Sequence, residues 1–148
     1  MTFIAMSLNR SEILLVDDSP ADLDLIRDAI SSSSCQCNVN TVSDGEEAIA
    51  RLHRAGVYCN AARPSLVILD LNLPRKGGRV VLAECKSHPS LLSIPVVVFT
   101  TSRSLKDVKD CYALGANCYV SKPGSLDDFR TAVQSIQDFW LGVARLPD

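Results

Sequence analysis

The sequence predicts an α/β domain in which helices cover both faces of a parallel sheet. Apolar runs of strand length alternate along the chain with stretches of helical period, which is the pattern of repeated βαβ units. The runs ILLV, LVIL and VVVF are almost wholly aliphatic, as expected for strands that are buried on both faces. We count five strands and five helices in 148 residues, and the apolar content of 47% suits one compact domain.

The first strand is predicted at residues 12–17, and the first helix follows it directly. Ser19 is a favourable N-cap, and Pro20 suits the first helical position because its nitrogen has no hydrogen to leave unpaired there. The buried stripe of this helix would consist of Leu23, Ile26 and Ile30.

The second strand, at residues 38–43, is less apolar than the others. A helix should begin near Asp44, because an acidic residue, Glu47, follows at the third helical position. The buried side chains of this second helix would be Ala48, Ile49 and Leu52.

The third strand is predicted at residues 65–70, and the loop LNLPRKGG separates it from a helix at 79–87. The fourth strand is predicted at residues 94–100. The fourth helix should begin near Ser104, because Ser104 and Asp107 match a capping box.

The last strand and helix are predicted at residues 117–121 and 125–141. The helix carries apolar residues at helical spacing, namely Leu126, Phe129, Val133, Ile136 and Trp140. Its phase leaves Phe139 turned away from that stripe. Phe139 either packs on the domain's own core or contacts another molecule, and the sequence leaves both open.

Charge and hydropathy exclude several classes of partner. The formal net charge is −2 and no basic run stands out, so we expect neither nucleic acid nor a membrane surface as a partner. The longest apolar stretches are strand-sized, and the beginning MTFIAMSLNRS lacks the pattern of an export signal. We therefore expect a cytoplasmic protein.

The cysteines and histidines suggest no metal site. The six cysteines are scattered and include no CxxC pair, so we expect reduced thiols and neither disulfides nor zinc. We place His53 on a helix and His88 in a loop, with no acid or cysteine at ligand spacing. Both are predicted to be solvated surface groups.

Polar residues follow four of the predicted strands: Asp17 and Asp18, Asp70, Thr100, and Lys122. The carboxyl ends of parallel strands meet at one edge of the sheet, where such folds bind ligands. Clustered carboxylates repel one another, and a hard divalent cation such as Mg²⁺ removes that cost. Asp70 could then attack phosphorus as a nucleophile, with Mg²⁺, Lys122 and Thr100 contacting the phosphoryl oxygens.

Each of these residues also has an ordinary structural explanation. Asp17 and Asp18 could cap the first helix, and Asp70 could begin an Asx turn. Thr100 could be a plain strand residue and Lys122 a solvated cation. Their joint placement after successive buried strands favours the phosphoryl chemistry.

The motifs LLVDD, LDLNLP, VFTTS and YVSKP, in this order, resemble those of the receiver domains of two-component response regulators. The resemblance covers residues 12–141, with 1–11 as an N-terminal extension and 142–148 as a C-terminal tail. It implies a flavodoxin-like (CheY-like), doubly wound sheet of strand order 2-1-3-4-5. It also implies that the chain is a phosphoacceptor switch rather than an enzyme with an external substrate.

The resemblance also implies a role for each site residue. Asp70 matches the phosphoacceptor, and the metal ligands match Asp17, Asp18, Asp70 and the backbone carbonyl of Asn72. The remaining matches are Thr100 as the switch hydroxyl, Tyr119 as the aromatic switch, Lys122 as the phosphate-contacting lysine, and Pro123 with a cis bond to Lys122.

Two positions depart from the usual pattern of the family. Gly77 stands where an aspartate is frequent, which should alter only the loop. Thr101 stands where alanine is common, and its branched side chain should crowd the water that attacks the phosphoryl group. We therefore expect a long-lived phosphoryl group.

The segments GVYCNAARPSLVILDLNLPRK, ANCYVSKPGSL and FWLGVARLP resemble the small single-domain regulators that pair with bacterial phytochromes. This implies a histidine kinase partner, in this case a bacteriophytochrome. It also implies a homodimer through the face of the fourth helix, fifth strand and fifth helix.

Alternative functions remain open on the sequence alone. The chain could be a pseudo-receiver that acts only by binding, or an intermediate that passes phosphate to a second histidine. A haloacid-dehalogenase-like hydrolase would carry its DxD motif early, whereas here the acidic pair comes first and Asn72 replaces the second acid. A flavodoxin-like cofactor binder would want a glycine- or hydroxyl-rich phosphate loop where DDSPAD stands.

Overall fold

The computed structural model describes residues 10–32 and 36–147 and contains the predicted five-stranded parallel sheet. Most of the predicted N-terminal extension, Cys35 and the last residue of the tail therefore lie outside the described residues. The strand order is β2-β1-β3-β4-β5, as expected. The strands are β1 (Ser11–Val16), β2 (Cys37–Val42), β3 (Leu66–Leu69), β4 (Val96–Thr100) and β5 (Cys118–Ser121).

Five α-helices connect and cover these strands: α1 (Pro20–Ser31), α2 (Gly45–Leu52), α3 (Gly78–Ser87), α4 (Leu105–Ala113) and α5 (Leu126–Gln137). None of the described helices is long and apolar enough to cross a membrane. A 3₁₀ turn at Gly56–Tyr58 follows α2, and a π-helical turn at Asp138–Val143 follows α5.

Alternate side chains of each central strand enter two separate hydrophobic layers. One layer joins residues such as Leu14, Val67 and Val98 to α2, α3 and α4. The other layer joins residues such as Leu15 and Phe99 to α1 and α5. Each fully buried aliphatic or aromatic side chain contributes about 1.5–3 kcal/mol. The two layers therefore hold the sheet rigid and fix the positions of the residues that follow its strands.

Four helices begin with a side-chain N-cap at the carboxyl edge of the sheet, and the helix starts near Ser19, Asp44 and Ser104 were predicted from such residues. Ser19, Asp44, Ser104 and Ser125 each accept a hydrogen bond from the backbone N–H three residues later, at 2.7–3.4 Å. Asp107 does not complete the predicted capping box, because its carboxylate bonds Arg79 and Ser102 instead of the Ser104 N–H.

Helix α3 begins without a side-chain cap because its N-cap residue is Gly77. The next residue, Gly78, lies against the backbone that carries Asp70. A Cβ atom on Gly78 would stand 2.2 Å from the Asp70 carbonyl oxygen, so any other residue at this position would clash with the backbone. Gly78 therefore allows α3 to start directly beside the end of β3.

The end of the chain differs from the predicted single helix. Leu126 is 54% exposed rather than buried, because it occupies the first helical position, three residues before the first core residue, Phe129. The α-helix ends at Gln137. A bond from the Ala144 N–H to the Phe139 carbonyl closes the π-helical turn, in which Trp140 packs on the core and Phe139 is half exposed.

Candidate functional site

The register of the sheet brings the predicted site residues to one edge. Val16 of β1 pairs with Leu69 of β3, so Asp17 and Asp70 follow at the same level. Thr100, the last residue of β4, pairs with Ser121, which Lys122 follows. Thus the ends of four neighbouring strands supply the side chains, as the sequence predicts.

Lys122 holds the centre of this cluster. Its Nζ donates to Oδ2 of Asp17 at 2.7 Å, of Asp22 at 2.7 Å and of Asp70 at 3.0 Å. The side chains of Lys122, Asp17 and Asp70 are only 3%, 4% and 7% exposed. Burial alone would lower the pKa of Lys122, but its hydrogen bonds to the three carboxylates raise that pKa above its ordinary value. The ammonium therefore stays charged at neutral pH.

Asp22 is a site residue that the sequence analysis missed. It lies in the first turn of α1, where its N–H bonds the Ser19 cap and its carboxylate reaches Lys122. The position of Asp22 in the sequence could have indicated this role. A helix that starts at the carboxyl edge of the sheet places the side chains of its first turn beside the strand ends.

Three carboxylates form a donor set that fits a hard cation. Ligand oxygens of Asp17, Asp18 and Asp70 all lie within 4.8 Å of one another, and Asp18 is exposed while the other two are buried. Burial raises the pKa of Asp17, against the opposing effect of hydrogen bonds from Lys122 and the Ser19 N–H. Three carboxylates contact the Lys122 ammonium and that of Asp18 lies beside two of them, so the cluster has an excess of negative charge that Mg²⁺ would offset.

The main chain after Asp70 also bonds its carboxylate. The Asn72 N–H donates to Asp70 Oδ1 at 3.2 Å, so the two carboxylate oxygens of Asp70 accept from different donors. This fixes the orientation of the carboxylate. The predicted use of the Asn72 carbonyl as a metal ligand stays a prediction.

The hydroxyl of Thr100 is buried and has no hydrogen-bond partner among the residues that the structure describes. An unsatisfied buried hydroxyl costs about 1–3 kcal/mol. A hydroxyl in this position, next to the strand end that carries Asp70, fits a phosphoryl oxygen as its missing acceptor.

Tyr119 of β5 is held by the loop that follows β4. Its hydroxyl donates to the Ser102 carbonyl at 2.9 Å, and the Ser121 hydroxyl donates to the same oxygen at 3.0 Å. The Ser102 hydroxyl bonds Asp107 of α4, which in turn pairs with Arg79 of α3. These bonds connect Tyr119, through Ser102, to the surface of α4.

The predicted cis bond between Lys122 and Pro123 is wrong for this structure, which has no cis peptide among its described residues. The trans form is intrinsically favoured before proline by about 0.5–1 kcal/mol.

The prediction that no acid lies at ligand spacing from the two histidines is wrong, although both side chains lie at the surface, where they are 27% and 47% exposed. Nε2 of His53 lies 2.7 Å and Nε2 of His88 lies 2.9 Å from the same Oε2 atom of Glu84. Glu84 stands four residues before His88, a spacing that places both side chains on one helix face. That spacing was the signal that the sequence analysis overlooked. As predicted, Cys59, Cys85, Cys111 and Cys118 are thiols.

Comparison with known proteins agrees with the geometry. Residues 13–134 match the family described as response regulator receiver domain. Among curated relatives, response regulator Rcp1 of Synechocystis sp. is 47% identical over 91% of this chain and 92% of its own length. A probable methanogenesis regulatory protein, FilR2 of Methanothrix harundinacea, is 38% identical over 91% and 86%.

Solved structures show the same likeness. The phosphorylated cyanobacterial phytochrome response regulator RcpA superimposes with a TM-score of 0.92 at 47% identity, covering 95% of this chain and 100% of that one. The Mn²⁺-bound form of Rcp1 superimposes with a TM-score of 0.91 at 46% identity, covering 93% and 99%.

Proposed function

Because the chain belongs to the response regulator receiver family, we propose that it is a phosphorylation switch that accepts a phosphoryl group from a histidine kinase on Asp70. The observation that carries the proposal is the buried contact of Asp70 with Lys122, beside the carboxylates of Asp17 and Asp18. A nucleophile, a cation and a set of metal-ligating oxygens thus share one edge of the sheet. The output is a change in what the protein binds, rather than turnover of an external substrate.

The proposed transfer uses Asp70 and Lys122 of this chain and a phosphohistidine that a kinase supplies. An Asp70 carboxylate oxygen attacks the phosphorus of a phosphohistidine, the new O–P bond forms, and the P–N bond breaks. The electron pair of that bond leaves with the histidine nitrogen. Lys122, which already contacts Asp70 Oδ2, keeps its positive charge beside the incoming phosphoryl oxygens.

The donor set of Asp17, Asp18 and Asp70 suits Mg²⁺ as the resident cation, with the Asn72 carbonyl as a further ligand. When bound, the cation supplies positive charge for the phosphoryl oxygens. The solved form of Rcp1 is bound to Mn²⁺, an ion that also favours oxygen ligands.

The conformational response would begin at Thr100. A phosphoryl oxygen on Asp70 offers the buried hydroxyl the acceptor that it lacks, so the phosphorylated state gains a hydrogen bond that the other state cannot make. Movement of Thr100 would vacate space for Tyr119, which must then release the Ser102 carbonyl. Since Ser102 bonds Asp107, the change would reach the surface of α4.

We propose a phytochrome-type histidine kinase as the phosphoryl donor, because phytochrome response regulators are among the most similar solved structures. The discriminating measurement is the rate of phosphotransfer to this chain from candidate kinases of the same cell. A phytochrome kinase should transfer its phosphoryl group faster than other kinases do. Equal or slower transfer would contradict this donor.

We propose that the face formed by α4, β5 and α5 makes a homodimer. Leu105, Tyr112 and Leu126 on this face are each at least half exposed, at 65%, 50% and 54%. Such side chains are typical of an interaction surface. Sedimentation should show that Tyr112→Glu weakens self-association, whereas the control Val57→Glu, at a 92% exposed site outside this face, does not. Equal sedimentation of both variants would contradict the assignment.

The phosphoacceptor role is tested by incubating the protein with Mg²⁺ and acetyl phosphate and then measuring its intact mass. We expect one added phosphoryl group in the wild type and in the control Asp24→Asn, which removes an exposed carboxylate of α1. Asp70→Asn should gain none. An unmodified wild type would indicate a pseudo-receiver, and steady phosphate release from many esters would indicate a hydrolase.

A further inference from the structure

A second cluster of metal-ligating side chains lies at the ends of α2 and α3. His53 is the C-cap residue of α2, and His88 is the C-cap residue of α3. Glu84 lies between them, and the two imidazole rings make an edge-to-face contact with centroids 4.6 Å apart. The candidate ligand atoms of all three side chains lie within 4.8 Å of one another.

This cluster is separate from the phosphorylation site. Helices that connect parallel strands run back against the strand direction, so helices that begin at the carboxyl edge end near the opposite edge. Asp44, the N-cap of α2, marks the first edge, and His53 marks the second. The phosphoryl chemistry therefore makes no use of His53, Glu84 or His88.

The geometry points to a binding site for Zn²⁺, or a similar transition-metal cation, formed by His53, Glu84 and His88. Two histidines and one carboxylate, with water as a fourth ligand, are a common donor set for tetrahedral zinc. Ligands at about 2.0–2.1 Å from a tetrahedral ion lie roughly 3.3 Å apart. The observed N–O separations of 2.7 and 2.9 Å are close to this spacing, so small side-chain rotations would admit the ion.

Exposure and charge both suit a cation that exchanges with solvent. The side chains of His53, Glu84 and His88 are 27%, 30% and 47% exposed, which leaves room for a water ligand. Glu84 lies within bonding distance of both imidazole rings, so its carboxylate offers a bound cation a negative charge between two nitrogen ligands. Mg²⁺ should not compete for this site, because it prefers oxygen ligands.

Bound metal would join the C-terminal ends of α2 and α3. The two helices already pack side by side, and a shared ion would add a cross-link that only the folded chain can form. Zinc should therefore raise the thermal unfolding temperature, and the rise should increase with zinc concentration.

The test is calorimetric titration of the full chain with Zn²⁺, in a reducing buffer that contains excess Mg²⁺. We expect one zinc ion per wild-type chain. The affinity for zinc should be at least about tenfold lower in His88→Ala and in Glu84→Gln. Both side chains are partly exposed, so both variants should fold, and Glu84→Gln keeps the shape of the side chain. Asp70→Asn and Cys59→Ser, which remove a carboxylate of the other site and an exposed thiol, should retain the zinc affinity.

The chain has two histidines, so imidazole NMR signals identify the ligands directly. Zinc should shift both sets of ring signals, and Mg²⁺ should shift neither. Zinc binding that leaves the rings unchanged, an affinity unaltered in His88→Ala and Glu84→Gln, or no binding by the wild type would each overturn the proposal.

Discussion

Lys122 Nζ lies 3.0 Å from Asp70 Oδ2, so the cation proposed to contact the phosphoryl group already contacts the carboxylate that would receive it. The same nitrogen also bonds Asp17 and Asp22, so one lysine is the common partner of an acid of α1 and of the acids that follow β1 and β3. The same ion cluster therefore serves both the stability of the fold and the proposed phosphorylation, and mutation of single residues can separate the two contributions.

Removal of the ammonium should destabilise the fold. Lys122→Met leaves the buried carboxylates of Asp17 and Asp70 without their cation, and such a loss costs about 3 kcal/mol. Urea unfolding without added metal should show this decrease in the free energy of unfolding. Mg²⁺ should restore more stability to Lys122→Met than it adds to the wild type, because it supplies the missing charge.

The matched control is Lys109→Met, which removes an exposed lysine of α4. Its free energy of unfolding should stay within about 0.5 kcal/mol of the wild type. Equal stability of the two variants would show that the cluster does not depend on Lys122.

The buried hydroxyl of Thr100 predicts a gain in stability on its removal. Thr100→Val keeps the shape but deletes a polar group that has no partner among the described residues, so the unphosphorylated protein should become about 1 kcal/mol more stable. Chemical unfolding measures the change. Thr101→Val, at an exposed neighbour, should be neutral, and a destabilised Thr100→Val would mean that the hydroxyl is satisfied in the unphosphorylated state.

Because the Cys85 thiol is buried, we expect the folded protein to lose stability at alkaline pH. Burial raises the pKa of this thiol to about 11, so the folded state favours the neutral form. This contribution is complete below the unfolded pKa of about 8.5 and is lost as the pH rises through the folded value, to a limit of about 3 kcal/mol.

Urea unfolding between pH 8 and pH 11 should show this fall in reducing buffer. The fall should be smaller in Cys85→Ala and unchanged in Cys59→Ala, whose thiol is exposed. If the free energy of unfolding of both variants falls as much as that of the wild type, another group is responsible.

Thr101 should lengthen the life of the phosphoryl group. Thr101 lines a cavity of about 250 Å³ together with Lys122, whose Nζ donates to the Asp70 carboxylate. In Thr101→Ala, loss of phosphate from the protein should be faster than in the wild type when followed by intact mass. A rate that fails to rise would contradict this role.

The sequence predicted the fold well where local and long-range signals agreed. Aliphatic runs marked the buried strands, and Ser19, Asp44 and Ser104 marked helix starts because a cap depends only on residues three apart. The strand-end residues also converged as expected, since parallel pairing carries each of them to the same edge.

The failures have physical causes of a different kind. Asp22 reaches Lys122 across 100 residues, a contact that depends on the packed fold. His53 meets Glu84 through the packing of α2 on α3, although the spacing of Glu84 and His88 was visible. Leu126 fits the helical stripe but stands where the helix has not yet reached the sheet, so periodicity alone assigned it to the core.

The most direct measurement is to locate the phosphoryl group in the chain. After reaction with Mg²⁺ and acetyl phosphate, borohydride reduces an acyl phosphate to an alcohol, and peptide mass spectrometry then identifies the altered residue. The account predicts that Asp70 alone is reduced in the wild type. Reduction at Asp17, Asp18 or Asp22 with Asp70 intact would contradict it.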